Sequence, residues 1–124
     1  MDLLFIGLGG FVGAISRYLA ASFVHRFLNV GFPYGTLFVN VTGSFFLCFF
    51  LPLSLEVYQI PASLRAAITV GFCGAFTTFS TFSFETLSLL QDGYHSAAFF
   101  NVFGNLFLCL FAGWLGFALS RLIG

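Results

Sequence analysis

A run of hydroxyl groups and phenyl rings lies in an otherwise apolar stretch of the chain, Gly71–Glu85 (GFCGAFTTFSTFSFE). In the seven residues Thr77–Ser83, five side chains carry a hydroxyl group and the other two are Phe79 and Phe82. Hydroxyl side chains bond to nearby backbone groups and loosen a helix, and two glycines just upstream add backbone freedom. The run therefore predicts that a helix breaks near residues 74–80.

Such a break would expose groups that bind small ions. Ser80 and Thr81 offer hydroxyl donors, and the edges of the phenyl rings carry the positive part of the aromatic quadrupole, so this set suits a small anion. Carbonyl oxygens freed around Gly74 and Thr77 are acceptors for a hard cation such as Na⁺, whose charge could offset that of an anion passing nearby. These residues favour a small-anion channel, and composition does not name the anion.

The composition places the chain in a membrane. Of its 124 residues, 60% are hydrophobic and 6% are charged, and the mean hydropathy is +1.06, whereas a soluble domain carries roughly a quarter charged residues. The net charge of zero offers no basic surface to a nucleic acid, and three cysteines without paired spacing suggest neither disulfides nor a zinc site.

Four apolar stretches predict an all-α membrane protein that forms a single transmembrane domain over residues 1–124. The expected helices cover residues 3–25, 34–55, 62–90 and 96–122. The third stretch exceeds the roughly 20 residues that cross a bilayer, which fits a break at mid-membrane. Lipid cannot satisfy the backbone groups that a break frees, so protein or a water-filled cavity must surround them.

Polar residues recur at helical spacing in the second and fourth stretches. Thr36 and Asn40 are four residues apart, as are Asn101, Asn105 and Cys109 in turn, so each set shares one helix face. These faces are expected to point inward, because unpaired amides are costly in hydrocarbon. Two interpretations stay open for both faces: the residues line an ion pathway, or they only tie helices together.

The few charged residues bear on the pathway and on topology. Arg17 either snorkels or pairs with a carbonyl group, or it lies at the mouth of an anion pathway. Glu85 is a carboxyl held by neighbours, a solvated group near the mouth, or a proton carrier. The arginines balance two against two, with Arg65 and Arg121 on one side and, if Arg17 snorkels toward Arg26, those two on the other. Insertion in both orientations, and hence an antiparallel dual-topology homodimer, is expected.

Three segments resemble the Fluc/CrcB family of small fluoride channels: GGFVGAISRY (Gly9–Tyr18), YGTLFVNVTGSF (Tyr34–Phe45) and GFCGAFTTFSTFSFE. The resemblance covers all four expected helices. It implies an antiparallel homodimer in the cell inner membrane, with two fluoride pathways and a structural Na⁺ at the dimer centre. It also implies passive export of fluoride down its gradient, which lowers cytoplasmic fluoride.

Matched by motif position, the resemblance implies roles for individual residues. Gly74 and Thr77 become the carbonyl ligands of Na⁺, and Arg17 lies by the aqueous vestibule. In the fourth stretch spacing alone nominates the asparagines, and the contribution of Cys109 stays open. Ala75 stands where a second glycine is usual, so the break is expected to be slightly stiffer than in the family. The residues expected along the anion pathway are Thr36, Asn40, Phe79, Ser80, Thr81, Phe82, Asn101 and Asn105.

Two other functions compete with the channel. A proton-coupled antiporter of the small multidrug type is also a short, four-span, dual-topology dimer, but it needs a carboxylate in the first span, where the embedded charge is Arg17. A non-transporting helical membrane scaffold would leave the hydroxyl-rich break without a purpose. An enzyme is not expected, since the sequence contains no evident nucleophile–base pair or metal-ligand cluster.

Overall fold

The computed structural model describes residues 2–28 and 31–124, and most of this part of the chain is helical. Helix α1 covers Asp2–Phe27, α2 covers Tyr34–Glu56, α4 covers Ser80–Gln91 and α5 covers His95–Ile123. Helix α3 consists of the consecutive pieces Ala62–Ala66, Ala67–Cys73 and Gly74–Phe76.

Together α3 and α4 form a third span, Ala62–Gln91, so the described residues contain four helical spans long and apolar enough to cross a membrane. The prediction of an all-α membrane protein is confirmed. Each span begins and ends within two residues of the range expected from the sequence.

The third span breaks near its middle, at residues 77–79. Thr77 has an extended backbone (φ −87°, ψ 161°), and the helix resumes at Ser80. The predicted break is therefore confirmed but is narrower than expected, because Gly74–Phe76 is still helical. Just before it, Ala67–Cys73 forms a π-helical segment that the sequence did not predict. Such segments are frequent at functional sites.

The spans pack as two close pairs, α2 with α5 and α1 with α3. Glycines bring the backbones together in both pairs. A Cβ atom on Gly116 of α5 would lie 2.5 Å from the Phe45 carbonyl oxygen of α2, and one on Gly71 of α3 would lie 2.5 Å from the Ile6 carbonyl oxygen of α1. Small residues at such contacts are typical of helices that associate in lipid. The break itself lies against α2, where a Cβ atom on Gly43 would overlap the side chain of Thr77.

Apolar and polar residues are distributed as expected for a protein in lipid. Large apolar side chains cover the outside, including Phe11, Phe107 and Leu110. Several polar side chains are buried instead, among them Asn101 and Asn105. The predicted inward orientation of the polar face of α5 is confirmed, and the interior of this small bundle is rich in hydrogen-bonding groups.

Candidate ion pathway at the helix break

The side-chain amide of Asn40, on α2, holds the break in place. Its Oδ1 atom accepts a hydrogen bond from the Thr78 backbone N–H at 2.8 Å, and its Nδ2 atom donates to the Thr78 carbonyl at 3.1 Å. One amide thus satisfies both backbone groups of a residue that lies outside the helix. Backbone away from water needs such partners, so this pairing is what lets the chain leave the helical conformation here.

The side chain of Thr78 starts the next helix. Its Oγ1 atom accepts the Thr81 backbone N–H at 3.2 Å and donates to the Thr81 hydroxyl at 3.1 Å. On the other side of the break, the Thr77 hydroxyl donates to the Cys73 carbonyl at 3.0 Å. The hydroxyl run therefore acts mainly on the local backbone, as hydroxyl side chains in loosened helices do.

Two backbone carbonyls at the break lose their helical partners. In a continuous helix, the N–H groups of Thr78 and Thr81 would bind the carbonyls of Gly74 and Thr77. Here both N–H groups bind side-chain oxygens. The face beside Gly74 is also open, since a Cβ atom there would meet no atom within 4 Å. These are the two oxygens predicted from the sequence to bind Na⁺, and carbonyl oxygens suit a hard cation.

A chain of hydrogen bonds continues from Asn40 through α5 to α4. Asn40 Nδ2 also donates to Asn105 Oδ1 at 3.0 Å, and Asn105 Nδ2 donates to Asn101 Oδ1 at 3.0 Å. Asn101 Nδ2 donates to the Thr86 hydroxyl at 2.8 Å, which donates to the Phe82 carbonyl at 2.8 Å. We call these residues, together with Thr78, the amide relay. It connects three spans through groups that lie inside the bundle.

A groove of about 460 Å³ opens beside the break, between α2 and α5. Its apolar wall includes Phe79 and Phe82, whose ring centroids are 5.5 Å apart. Phenyl rings therefore line the groove together with amide and hydroxyl side chains from the break and from both helices, the residue types that suit a small anion. Its polar lining residues are Asn40, Ser44, Thr77, Thr78, Asn105 and Cys109.

The groove contains part of the predicted pathway. Thr36 is buried with its hydroxyl beside the Glu85 carboxyl, away from the groove. Ser80 is exposed, and Asn101 has no exposed surface. The predicted residues that line the groove are Asn40, Phe79, Phe82 and Asn105. Those that do not are Thr36, Ser80, Thr81 and Asn101.

Sequence reasoning did not nominate Ser44, Thr78 or Thr86. Ser44 follows Asn40 by four residues, so helical spacing carries a signal for it. Thr78 lies within the hydroxyl run, but nothing in the sequence marks it as the partner of Asn40. Neither spacing nor composition links Thr86 to Asn101, because their hydrogen bond depends on how two spans pack together.

Two charged side chains contain buried atoms without hydrogen-bond partners among the described residues: Nε of Arg17 and Oε1 of Glu85. Glu85 lines a separate cavity of about 300 Å³ with His25 and Asp92, where α1 and α4 end. Arg17 does not line the groove. Its place beside a vestibule stays a prediction.

The fold and the groove define a small multi-pass membrane protein in which polar and aromatic residues line a groove beside a broken helix. Residues 4–117 match the family model of the CrcB-like protein, Camphor Resistance (CrcB). The chain is 45% identical over 121 residues to the fluoride-specific ion channel FluC of Geobacter metallireducens, covering 98% of both chains.

Other relatives with the same name have similar identity and coverage. Identity is 47% over 119 residues with the protein of Campylobacter jejuni subsp. jejuni, covering 96% of this chain and 97% of the relative. Identity is 42% over 123 residues with the protein of Magnetococcus marinus, covering 99% of this chain and 100% of the relative. The chain belongs to the CrcB family, and the resemblance seen in the sequence motifs is confirmed. Its relatives carry the name of channels, in agreement with the expectation that the chain is not an enzyme.

Proposed function

We propose that this chain forms a fluoride-selective channel that exports fluoride passively and so lowers cytoplasmic fluoride. The observation that carries the proposal is the groove beside the break, walled by Phe79 and Phe82, in a chain 45% identical to a relative named as a fluoride-specific ion channel. The groove lining contains no carboxylate or imidazole among the described residues, which supports a passive anion path over proton-coupled exchange.

An anion in the groove would meet donors that already have partners. Both amide hydrogens of Asn40 point to acceptors, one to the Thr78 carbonyl and one to Asn105 Oδ1. A fluoride ion would therefore compete with these two internal hydrogen bonds while ring edges of the phenylalanines replace part of its hydration. Binding that is favourable but easily reversed is what conduction requires. The proposal assigns the pathway to Asn40, Phe79, Phe82 and Asn105.

A second copy of the chain completes the proposed channel. The groove is open on the surface of one chain, and Phe79 is 78% exposed there. An antiparallel partner would close each groove and bring its own Gly74 and Thr77 carbonyls to the same face. Four carbonyl oxygens from two chains would hold one structural Na⁺, a hard cation that takes oxygen ligands. Nearly balanced arginines would allow both orientations in the cell inner membrane.

Fluoride release from liposomes tests the proposed function. Purified protein is reconstituted in vesicles loaded with potassium fluoride, with Na⁺ present on both sides, and release is followed with a fluoride electrode after valinomycin is added. Fluoride release without a proton gradient, and no comparable chloride release, is expected. Release that strictly requires a proton gradient would favour an antiporter, and no release of either anion would favour a scaffold.

A further inference from the structure

The amide relay runs in one direction. It starts at the backbone N–H of Thr78, passes through the side chains of Asn40, Asn105, Asn101 and Thr86, and ends at the Phe82 carbonyl. Its five hydrogen bonds are 2.8 to 3.0 Å long. Each asparagine accepts at its oxygen and donates from its nitrogen, so neighbouring groups polarise one another in the same sense. The amide of Asn40 is thereby made a stronger donor.

The members of the relay fix one another's orientation. Turning the Asn105 amide by half a turn would set its nitrogen against Asn40 Nδ2 and its oxygen against Asn101 Oδ1 and the Asn101 carbonyl, replacing three hydrogen bonds by repulsive contacts. Asn101 is 0% exposed, Asn105 is 7% exposed and Thr86 is 9% exposed, so water cannot readily substitute. A buried polar group without its partner costs more than the bond itself contributed.

Both ends of the relay belong to the groove, whereas part of its middle does not. Thr78, Asn40 and Phe82 line the groove, but Asn101 and Thr86 lie outside it. A change in Thr86 would nevertheless reach Asn40 through two intervening amides. We propose that Asn101 and Thr86 are positioning residues of the ion pathway: through the relay they orient the Asn40 amide and hold Phe82, without contacting the ion. This inference rests on the proposed function.

Thr86 offers the sharpest test, because two substitutions separate its hydroxyl group from its methyl group. Thr86→Val keeps the side-chain shape and removes the hydroxyl, whereas Thr86→Ser keeps the hydroxyl. Thr69→Val is the matched control. Thr69 lies in the same span, and its hydroxyl donates to the Arg65 carbonyl at 2.8 Å with no further partner among the described residues.

The readouts are fluoride flux, the ratio of fluoride to chloride flux, and the size-exclusion profile of the purified protein. We expect Thr86→Val to lose at least about fivefold in flux or in that ratio, the factor carried by one ordinary hydrogen bond. Thr86→Ser and Thr69→Val should match the unsubstituted chain. Unchanged flux and ratio in Thr86→Val, or equal losses in Thr86→Ser, would overturn the inference.

A double variant separates positioning from folding. Thr86→Val with Asn101→Leu replaces both partners of one bond by apolar groups of similar shape, which is often nearly neutral for stability. Asn105 would retain the Asn101 backbone carbonyl, to which its Nδ2 atom donates at 2.9 Å. The relay is nevertheless cut, so the loss of flux or of the ratio should persist. Flux and ratio restored to the unsubstituted level would refute positioning by the relay. An unsubstituted chain that passes no fluoride would overturn the proposed function, and this inference with it.

Discussion

The side chain of Asn40 and the backbone of Thr78 form a pair joined by two hydrogen bonds, of 2.8 and 3.1 Å. The amide side chain of one helix thus pairs with the backbone N–H and C=O of the unwound part of another, as neighbouring β-strands pair with each other. It takes the Thr78 N–H away from the Gly74 carbonyl, while the Thr78 hydroxyl takes the Thr81 N–H away from the Thr77 carbonyl. The same amide faces the groove, so the group that stabilises the break is also the leading candidate to meet the ion.

Asn40→Asp should abolish most of the fluoride flux. The carboxylate keeps the acceptor for the Thr78 N–H but removes both donors and adds a negative charge to the groove. Like charges about 4 Å apart repel by about 4 kcal/mol at an effective dielectric constant of about 20, so a fall of at least about a hundredfold in liposome flux is expected. Thr42→Val, whose hydroxyl bonds the Phe38 carbonyl of its own helix, is the control. Flux that survives in Asn40→Asp would remove this amide from the pathway.

Phe79→Ile and Phe82→Ile should each reduce fluoride flux several-fold while leaving the size-exclusion profile intact. Aliphatic side chains lack the positive ring edge that contacts an anion, and the high exposure of Phe79 in one chain indicates that few internal contacts are lost. Phe100→Ile, at an exposed phenylalanine of α5 outside the groove, serves as the control. If both groove variants conduct like the unsubstituted chain, the rings do not contact the ion.

The course of the four spans could be predicted because apolar length and local composition determine it. The hydroxyl run predicted the break, and the structure narrows it to residues 77–79. The π-helical segment Ala67–Cys73 had no local signal. It lies where Gly71 meets the backbone of α1, a contact between parts of the chain that are distant in sequence.

The candidate site could be predicted only in part for the same reason. Four-residue spacing places Thr36 and Asn40 on one helix face, yet Asn40 faces the groove whereas Thr36 lies beside Glu85. Spacing also grouped Asn101 with Asn105 but could not show that Asn101 turns toward Thr86. Periodicity predicts on which face of a helix a residue lies. The partner of each side chain depends instead on how the spans cross.

Gly71→Ala should destabilise the bundle. The added Cβ atom would lie 2.5 Å from the Ile6 carbonyl oxygen and 3.0 Å from the Gly10 nitrogen, both of them backbone atoms of α1. Forcing such contacts apart typically costs about 1–3 kcal/mol, and the melting temperature in detergent should fall. Gly7→Ala is the matched control, since its Cβ atom would meet nothing within 4 Å. Equal melting temperatures for the two variants would show that α1 and α3 are not in close contact.

Gly74→Ala tests whether a second chain and Na⁺ lie at the break. A Cβ atom at Gly74 meets nothing within 4 Å in one chain, so any steric clash it makes must be with a group outside that chain. We expect the unsubstituted protein to lose flux when Na⁺ is replaced by a large organic cation and to regain it when Na⁺ returns. Gly74→Ala should weaken this response and reduce the yield of cross-linked dimer in membranes.

Gly104→Ala, equally free of neighbours within one chain, should behave like the unsubstituted protein if its face lies against lipid. A Gly74→Ala variant that keeps both the dimer and the response to Na⁺ would place the partner and the cation elsewhere.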